Sequence, residues 1–367
     1  MPSVAVITEY NPFHFGHLYQ LTELKKHFDT VVCIMSGFAV QRGGVAIADK
    51  YTRAKAAVDC GASLVLELPF PYSCASARDF AAAGVDIASR ICVDKLAFGA
   101  EDDIQPLIEV GRLREKGILQ QKTEHYLSSG VRSYPLALCE AVRECVGDEA
   151  AEMLKKPNNI LASEYIYYAG RCGLDIYPIR RDMSYKSATE LRSLGKNMLC
   201  NLPPKSAQAF ECGSSLDEKS FDVFVLSRLY DKLGRVGRDD VYSATDDALY
   251  RLRAHIAEHN SVESLARCCA DGSHTAAYYR RLICSIAFGI TPQMMKSQIN
   301  ETLLLAADDD GRRHLNIINK ANKISAITRP SAAADQGLIK ALQAESAVSR
   351  ICMRPPFDPF KSRPYIG

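Results

Sequence analysis

Apolar and polar positions follow two rhythms along the first hundred residues. The runs SVAVIT (3–8), TVVCIMS (30–36), LVLELP (64–69) and KLAFGA (95–100) are short and apolar on successive positions, as in strands covered on both faces. Between them, HLYQLTELKKHF, DKYTRAKAAVDCGA and ARDFAAAGVDIASRIC place apolar residues at helical spacing. Strand alternating with helix predicts an open α/β sheet of parallel strands. From about 104 to 156 the pattern is helical and irregular, which reads as an insertion. NNILASEYIYYAGRCG then predicts a helix, LDIYPIRRD a last strand, and SYKSATELRSLG a helix opened by Ser and Thr. These elements make a first domain of residues 1–198. The paired prolines of CNLPPKSAQAFECGSS mark a linker at 199–215. From 216 to 367 five segments carry helical spacing, so a mostly helical second domain is expected, with DDDGRRHL read as a solvated loop within it.

Composition narrows the class. At 367 residues the chain exceeds what one core usually supports, in keeping with two domains. No apolar run reaches the ~18 residues a membrane span needs, and the start lacks a secretory pattern, so a cytoplasmic protein with no membrane contact is expected. The 13 cysteines include no C-x-x-C pair, and Cys268 and Cys269 are the only neighbours. They read as free thiols in a reducing compartment. Net charge is +2, with 23 basic against 24 acidic residues in 1–200 and 22 against 19 in 201–367. Bulk charge therefore points to no nucleic-acid partner.

The chemistry concentrates in NPFHFGH, where the first strand hands over to the first helix. Ligands of open α/β sheets bind at such carboxyl ends. Pro12 directs an extended turn, Gly16 lets backbone approach a ligand, and the amides opening the next helix favour an anion. His14 and His17 add two imidazole donors, making a phosphate site. H-x-G-H arises by chance in on the order of one chain of this length in a hundred. No Cys or third His stands nearby at zinc spacing, so no tightly held metal is expected.

An H-x-G-H turn after the first strand resembles the nucleotidyltransferase superfamily with the HIGH-type motif. Its second signature is a Ser/Thr-rich helix start, matched here by SATELR with Ser187, Thr189 and Arg192. The ordered set TEYNPFHFGHLY, MSGFAVQRG, RAKAA, GASLVLELPF, FGAE, PNNILASEYI and SATELR resembles the bacterial tRNA(Met) cytidine acetate ligases over about residues 1–200, and more loosely through YYRRLICSIAFGIT. The resemblance implies a Rossmann-like parallel sheet of the nucleotidyltransferase type with a C-terminal helical domain. It implies a ligase that activates acetate with ATP, accompanied by Mg²⁺, and acetylates the exocyclic amine of the wobble cytidine of elongator methionine tRNA. Phe15 stands where Asn is common, and Ala188 where Ser is preferred.

By motif position, the resemblance implies that His14 and His17 are catalytic. It implies that the segment Ile7, Thr8, Glu9, Tyr10, Asn11, Pro12, Phe13, His14, Phe15, Gly16, His17, Leu18, Tyr19 and Gln20 wraps the ATP, with Gly99, Asn159 and Arg181 as further contacts and Ser187, Thr189 and Arg192 on the outer phosphates. Asn158 and Arg180 are neighbouring alternatives. Gln41 and Arg42 follow the second strand at the same sheet edge, where an Arg pairs with phosphate or carboxylate or is simply solvated. Lys50, Arg53 and Lys55 have the spacing of a wet helix face. Tyr278, Tyr279, Arg280 and Arg281 combine aromatic and basic groups suited to unpaired RNA; with the family, Arg280 and Arg281 become tRNA candidates, although a helix with buried Tyr and outward Arg has the same pattern. Two rival functions are a small-molecule adenylyltransferase and an ATP-sensing RNA-binding protein without turnover.

Overall fold

The structure is a computed structural model that describes residues 2–101, 103–131 and 134–367. In chain order the first part runs β1 (Ser3–Thr8), α1 (Phe15–Lys25), β2 (Thr30–Ser36), α2 (Lys50–Asp59), β3 (Leu64–Leu68), α3 (Ala77–Arg90) and β4 (Lys95–Ala100). Four helices follow, α4 (Gln105–Glu115), α5 (Ile118–Ser128), α6 (Tyr134–Cys145) and α7 (Asp148–Met153), then α8 (Pro157–Cys172), β5 (Asp175–Arg180) and α9 (Ala188–Ser193). Residues 132 and 133 of the expected helical insertion lie outside the described residues. Strands β3, β2, β1, β4 and β5 lie side by side in that order, all parallel. Strand order reverses at the β1/β4 junction, which is where an open sheet forms its crevice.

Alternation within each strand feeds two cores. Ala5, Ile7, Val32, Ile34, Leu64 and Leu66 face α3, α8 and the insertion, whereas Val4, Val6, Val31, Cys33, Met35 and Val65 face α1 and α2. Strands β1, β2 and β3 are thus buried on both faces, and their continuous apolar runs follow from that.

The later part continues with α10 (Pro204–Cys212), β6 (Ser215–Leu216), α11 (Glu218–Leu233), α12 (Asp246–His255), α13 (Val262–Cys269) and α14 (Ala276–Phe288). After these come β7 (Glu301–Ala307), α15 (Asp309–Ala321), β8 (Ser325–Ile327), α16 (Gln336–Cys352), β9 (Met353–Arg354) and β10 (Tyr365–Ile366). Helices α11 to α14 and α16 build a third core around Leu229, Leu249, Ile283 and Val348.

Three expectations change. The stretch read as a linker contains α10, which lies on α2 with Phe210 and Ala209 in the sheet's core. The later region is not wholly helical, because β7 pairs antiparallel with β3, while β8 and β10 pair with β7 in the same sheet. ETLLLAA is uniformly buried after Glu301, so it shows no strand alternation and no helical stripe. DDDGRRHL is not a loop: Asp308 caps α15 by accepting the Gly311 amide at 2.8 Å, and a Cβ on Gly311 would meet the Ser63 carbonyl at 1.9 Å.

Lys50 and Arg53 do not form a wet face either; both are wholly buried. The Arg53 guanidinium donates to the carbonyls of Ala48 at 3.1 Å, Glu9 at 2.6 Å, Ser36 at 3.1 Å and Gly37, tying the ends of β1 and β2 together. These carbonyls have no ladder partner where the strands end, and one planar fork satisfies them all. Burial pulls Arg53 down to about 10, against the opposing pull of Asp49 and Glu9. Lys50 bridges Glu67 of β3 at 2.9 Å and Glu345 of α16 at 2.6 Å. Only Lys55 is solvated, paired with Asp59 at 2.5 Å. All thirteen cysteines are free thiols. No helix among the described residues is long and apolar enough to cross a membrane.

Candidate active site

The turn after β1 is held from three sides. Tyr10 takes φ +47, a left-handed conformation that a bulky residue adopts only when its surroundings enforce it. Arg192 of α9 donates to the Asn11 carbonyl at 2.5 Å, Ser206 of α10 to the Phe13 carbonyl at 2.8 Å, and the Ile47 amide to Asn11 Oδ1 at 2.9 Å. Tyr10 and Phe13 are wholly buried beneath the turn, their rings edge-on at 4.8 Å, and Tyr10 supports the His17 ring at 4.9 Å.

The two histidines cap α1 reciprocally. His14 Nδ1 accepts the Gly16 amide at 3.1 Å, and His17 Nδ1 accepts the His14 amide at 3.3 Å. Their rings stack with centroids 3.7 Å apart. Because each Nδ1 is an acceptor, the proton of each neutral ring sits on Nε2. Burial, with Arg181 and Arg192 nearby, pushes His14 down to about 4; burial, with His14 and Arg181, holds His17 well below its ordinary value. At neutral pH the pair offers two uncharged N–H donors.

A cavity opens beyond the carboxyl ends of β1 and β4, in two halves that share Ile7, Thr8, His14, His17, Asn158, Leu161, Tyr165 and Arg181. One half, about 150 Å³, adds Gly16, Tyr19, Gln20, Gly99 and Arg180 with the apolar walls Phe98, Ile179 and Tyr185. The other, about 250 Å³, adds Glu9, Tyr10, Asn11, Gln41, Arg42, Phe80, Ser187, Ala188, Thr189 and Arg192. The turn after β1 and the start of α9, some 170 residues apart in sequence, thus face one space. Pro12, Phe13, Phe15 and Leu18 of the expected ATP segment do not line it.

The other expected residues divide. Asn159 is wholly buried and accepts the Glu101 amide at 3.2 Å, so it builds the wall, whereas its neighbour Asn158 lines both halves. Adjacent helix positions point about 100° apart, and Asn158, Leu161 and Tyr165 form the one stripe of α8 that faces the cavity. That i, i+3, i+7 stripe is the signal that finds Tyr165, which motif matching misses. A Cβ on Gly99 would meet Arg181 Cγ at 3.0 Å, so this glycine makes room for the Arg181 side chain. Ser187 is engaged with Glu190 in a capping box, and Thr189 Oγ1 accepts from Arg192 at 3.1 Å. The guanidinium groups of Arg42 and Arg181 donate to no described residue, which leaves them available to an anion in the cavity.

Arg280 and Arg281 do not form an open basic patch. Arg280 donates to the Arg42 carbonyl at 3.0 Å and to Glu263 at 2.8 Å, and Arg281 to the Gln41 carbonyl at 3.5 Å. They anchor the Gln41–Arg42 loop of the cavity onto α14. Tyr279 is wholly buried, so its ring is not free to stack on a base; Tyr278 donates to the Ser243 carbonyl at 2.7 Å and packs its ring against His274 with centroids 4.2 Å apart.

The profile of the HIGH nucleotidyl transferase family matches residues 1–358. A tRNA(Met) cytidine acetate ligase of Streptococcus pneumoniae serotype 2 is 31% identical over 344 residues, covering 90% of this chain and 89% of that protein. The ligase of the same name from Bacillus subtilis is 40% identical over 171 residues, 45% of this chain and 41% of that protein. A crystal structure of Thermotoga maritima TmcAL bound with alpha-thio ATP superposes with a TM-score of 0.87 at 23% identity, over 100% of this chain and 99% of that one, which establishes the likeness of fold. With the histidine turn and the α9 start facing one cavity, and with similarity running nearly end to end, this chain belongs to the tRNA(Met) cytidine acetate ligase family of HIGH nucleotidyltransferases.

Proposed function

We propose that this protein joins acetate to the exocyclic amine of the wobble cytidine in elongator methionine tRNA, using ATP, in the cytoplasm. The observation that carries the reading is the convergence of the neutral His14/His17 pair with Arg42, Arg181 and Arg192 on one cavity at the β1/β4 crevice, in a chain of this family. The half walled by Phe98, Ile179 and Tyr185 suits a nucleoside, and the half with Arg42 and Arg192 suits its phosphates.

Two steps follow. An acetate oxygen attacks the α-phosphate, the bond to the β-phosphate breaks, and acetyl-adenylate and pyrophosphate form. The two Nε2–H donors would hold phosphoryl oxygens as negative charge shifts, Arg181 would pair with the phosphates, and Arg192 and Thr189 would border the departing pyrophosphate. Positioning and electrostatics supply most of the acceleration in phosphoryl chemistry. The cytidine amine then attacks the activated carbonyl and AMP leaves.

A magnesium ion would enter with the triphosphate and neutralise charge on its oxygens. The ligand-type cluster found among the described residues, Asp247, Asp271 and His274, does not line the cavity, and Arg251 already contacts both of its carboxylates. The phosphates and water would therefore supply the ion's ligands.

Acetate-dependent exchange of labelled pyrophosphate into ATP tests the first step. Exchange that needs acetate and no tRNA is expected; exchange indifferent to acetate contradicts the reading. A small-molecule adenylyltransferase would instead require a phosphorylated acceptor.

A further inference from the structure

Glu9 follows Thr8, the last residue of β1, and lines the half of the cavity that holds Arg42 and Arg192. Its Oε1 accepts the Gln41 amide at 2.6 Å, while Oε2 has no hydrogen bond to a described residue. Three guanidinium groups act on it, Arg42 from the loop after β2, Arg192 from α9 and Arg53 from α2, and Tyr165 of α8 and Cys74 lie within its field. Burial raises the carboxyl above its ordinary value against the pull of the Gln41 amide and the arginines.

The surroundings restrict what that free oxygen can meet. Three arginines disfavour a cation there, so a magnesium site on Glu9 is unfavourable. ATP phosphates and acetate are anions, and a carboxylate repels both. Two neutral N–H donors enter the cavity in the proposed reaction, the adenine amine of ATP and the cytosine amine of tRNA; adenine belongs with its nucleoside in the half walled by Phe98, Ile179 and Tyr185, which Glu9 does not line, and this leaves the cytosine amine for Glu9. Glu and Asp side chains accepting from that amine are a recurring way in which proteins read cytosine by its edge.

Resting on the proposed function, we infer that Glu9 is a catalytic residue of the second step, which receives the cytidine N4 amine and takes its proton. The N4–acyl carbon bond forms, the bond from the acyl carbon to the adenylate oxygen breaks with its electron pair leaving on AMP, and the N4 proton passes to Glu9 Oε2. Water later removes that proton. The Gln41 amide holds Oε1, which leaves Oε2 for the amine.

Glu9→Gln is the informative variant because its amide oxygen still accepts from the Gln41 amide and its volume is unchanged. Three rates are measured on the full chain: acetate-dependent pyrophosphate exchange, trapping of the acetyl-adenylate by hydroxylamine, and acetylation of methionine tRNA. Acetylation is expected to fall about a hundredfold or more relative to exchange and trapping, the usual weight of a general base. Equal loss of all three rates, or unaltered acetylation, overturns the assignment. Should Glu9→Gln fail to fold, Glu9→Asp serves: acetylation slowed at least tenfold more than exchange supports the role, and a uniform effect overturns it. If the unmodified protein itself neither exchanges with acetate nor acetylates tRNA, it is the proposed function that fails.

Discussion

At pH 7 the two imidazoles of the first turn act as donors without charge, because burial keeps them neutral and their caps leave the proton on Nε2. His14→Asn keeps an acceptor for the Gly16 amide and removes the Nε2 donor. Such a variant is expected to lose roughly two to three orders of magnitude in turnover, the usual cost of one preorganised donor, while melting within a few degrees of the parent. A large fall in melting temperature would show instead that the ring is chiefly structural. Long-range ¹H–¹⁵N spectra of the free protein should show the Nε2–H tautomer at both residues near neutral pH, and His14 titrating at about 4. Glu345 is a second residue with a measurable signature. Burial raises it to about 7 although Lys50 opposes the shift, and its Oε1 has no partner. A folded carboxyl that holds its proton more tightly than the unfolded chain makes stability rise as pH falls from about 7 toward 4.5. His14 and His17 act oppositely, losing stability as pH falls from 6.5, so the Glu345 contribution is isolated by difference. Glu345→Gln should therefore gain more unfolding free energy over the parent at pH 8 than at pH 5, read from denaturant midpoints; the reverse order would refute the shift. The histidines were legible in sequence because their motif is local. Arg53 was not, because its partners are backbone carbonyls of two strands and a loop that only the fold assembles.

Between elements, the decisive contacts join distant parts of the chain. Gly43 has φ +84, and a Cβ there would sit 2.6 Å from the Arg280 Cβ and the Arg281 amide. Gly43→Ala should separate the Gln41–Arg42 loop from α14 and cost about 1–3 kcal/mol, seen as a lower melting temperature with weakened activity. An unchanged melt would mean the loop is not docked as described. Strand β7 makes a similar long-range tie, covering β3 along its open edge. A fragment ending at residue 200 would leave that edge bare together with the faces of Leu64, Val65 and Leu66, and is expected to aggregate. A monomeric, cooperatively melting fragment would contradict this. The helices of the first part were readable from their stripes and caps. The β7 strand was not, since a run buried on both faces has no period to distinguish it.

Across the whole molecule, Arg280 and Arg281 tie the cavity loop to α14. They fix the loop that carries Gln41 and Arg42, while α9 and α10 fix the histidine turn from the other side. The site's outline was legible from NPFHFGH and SATELR, because each motif marks one wall. The rest was not, because which of two adjacent residues faces inward depends on how α8 is rotated in the fold. Transfer of label from acetate to tRNA tests the central claim most directly. The protein is incubated with radiolabelled acetate, ATP and unfractionated tRNA, and the digested nucleosides are separated. The account predicts label in acetylated cytidine of methionine tRNA, dependent on ATP and indifferent to acetyl-coenzyme A; label that requires acetyl-coenzyme A, or that forms without ATP, would contradict it.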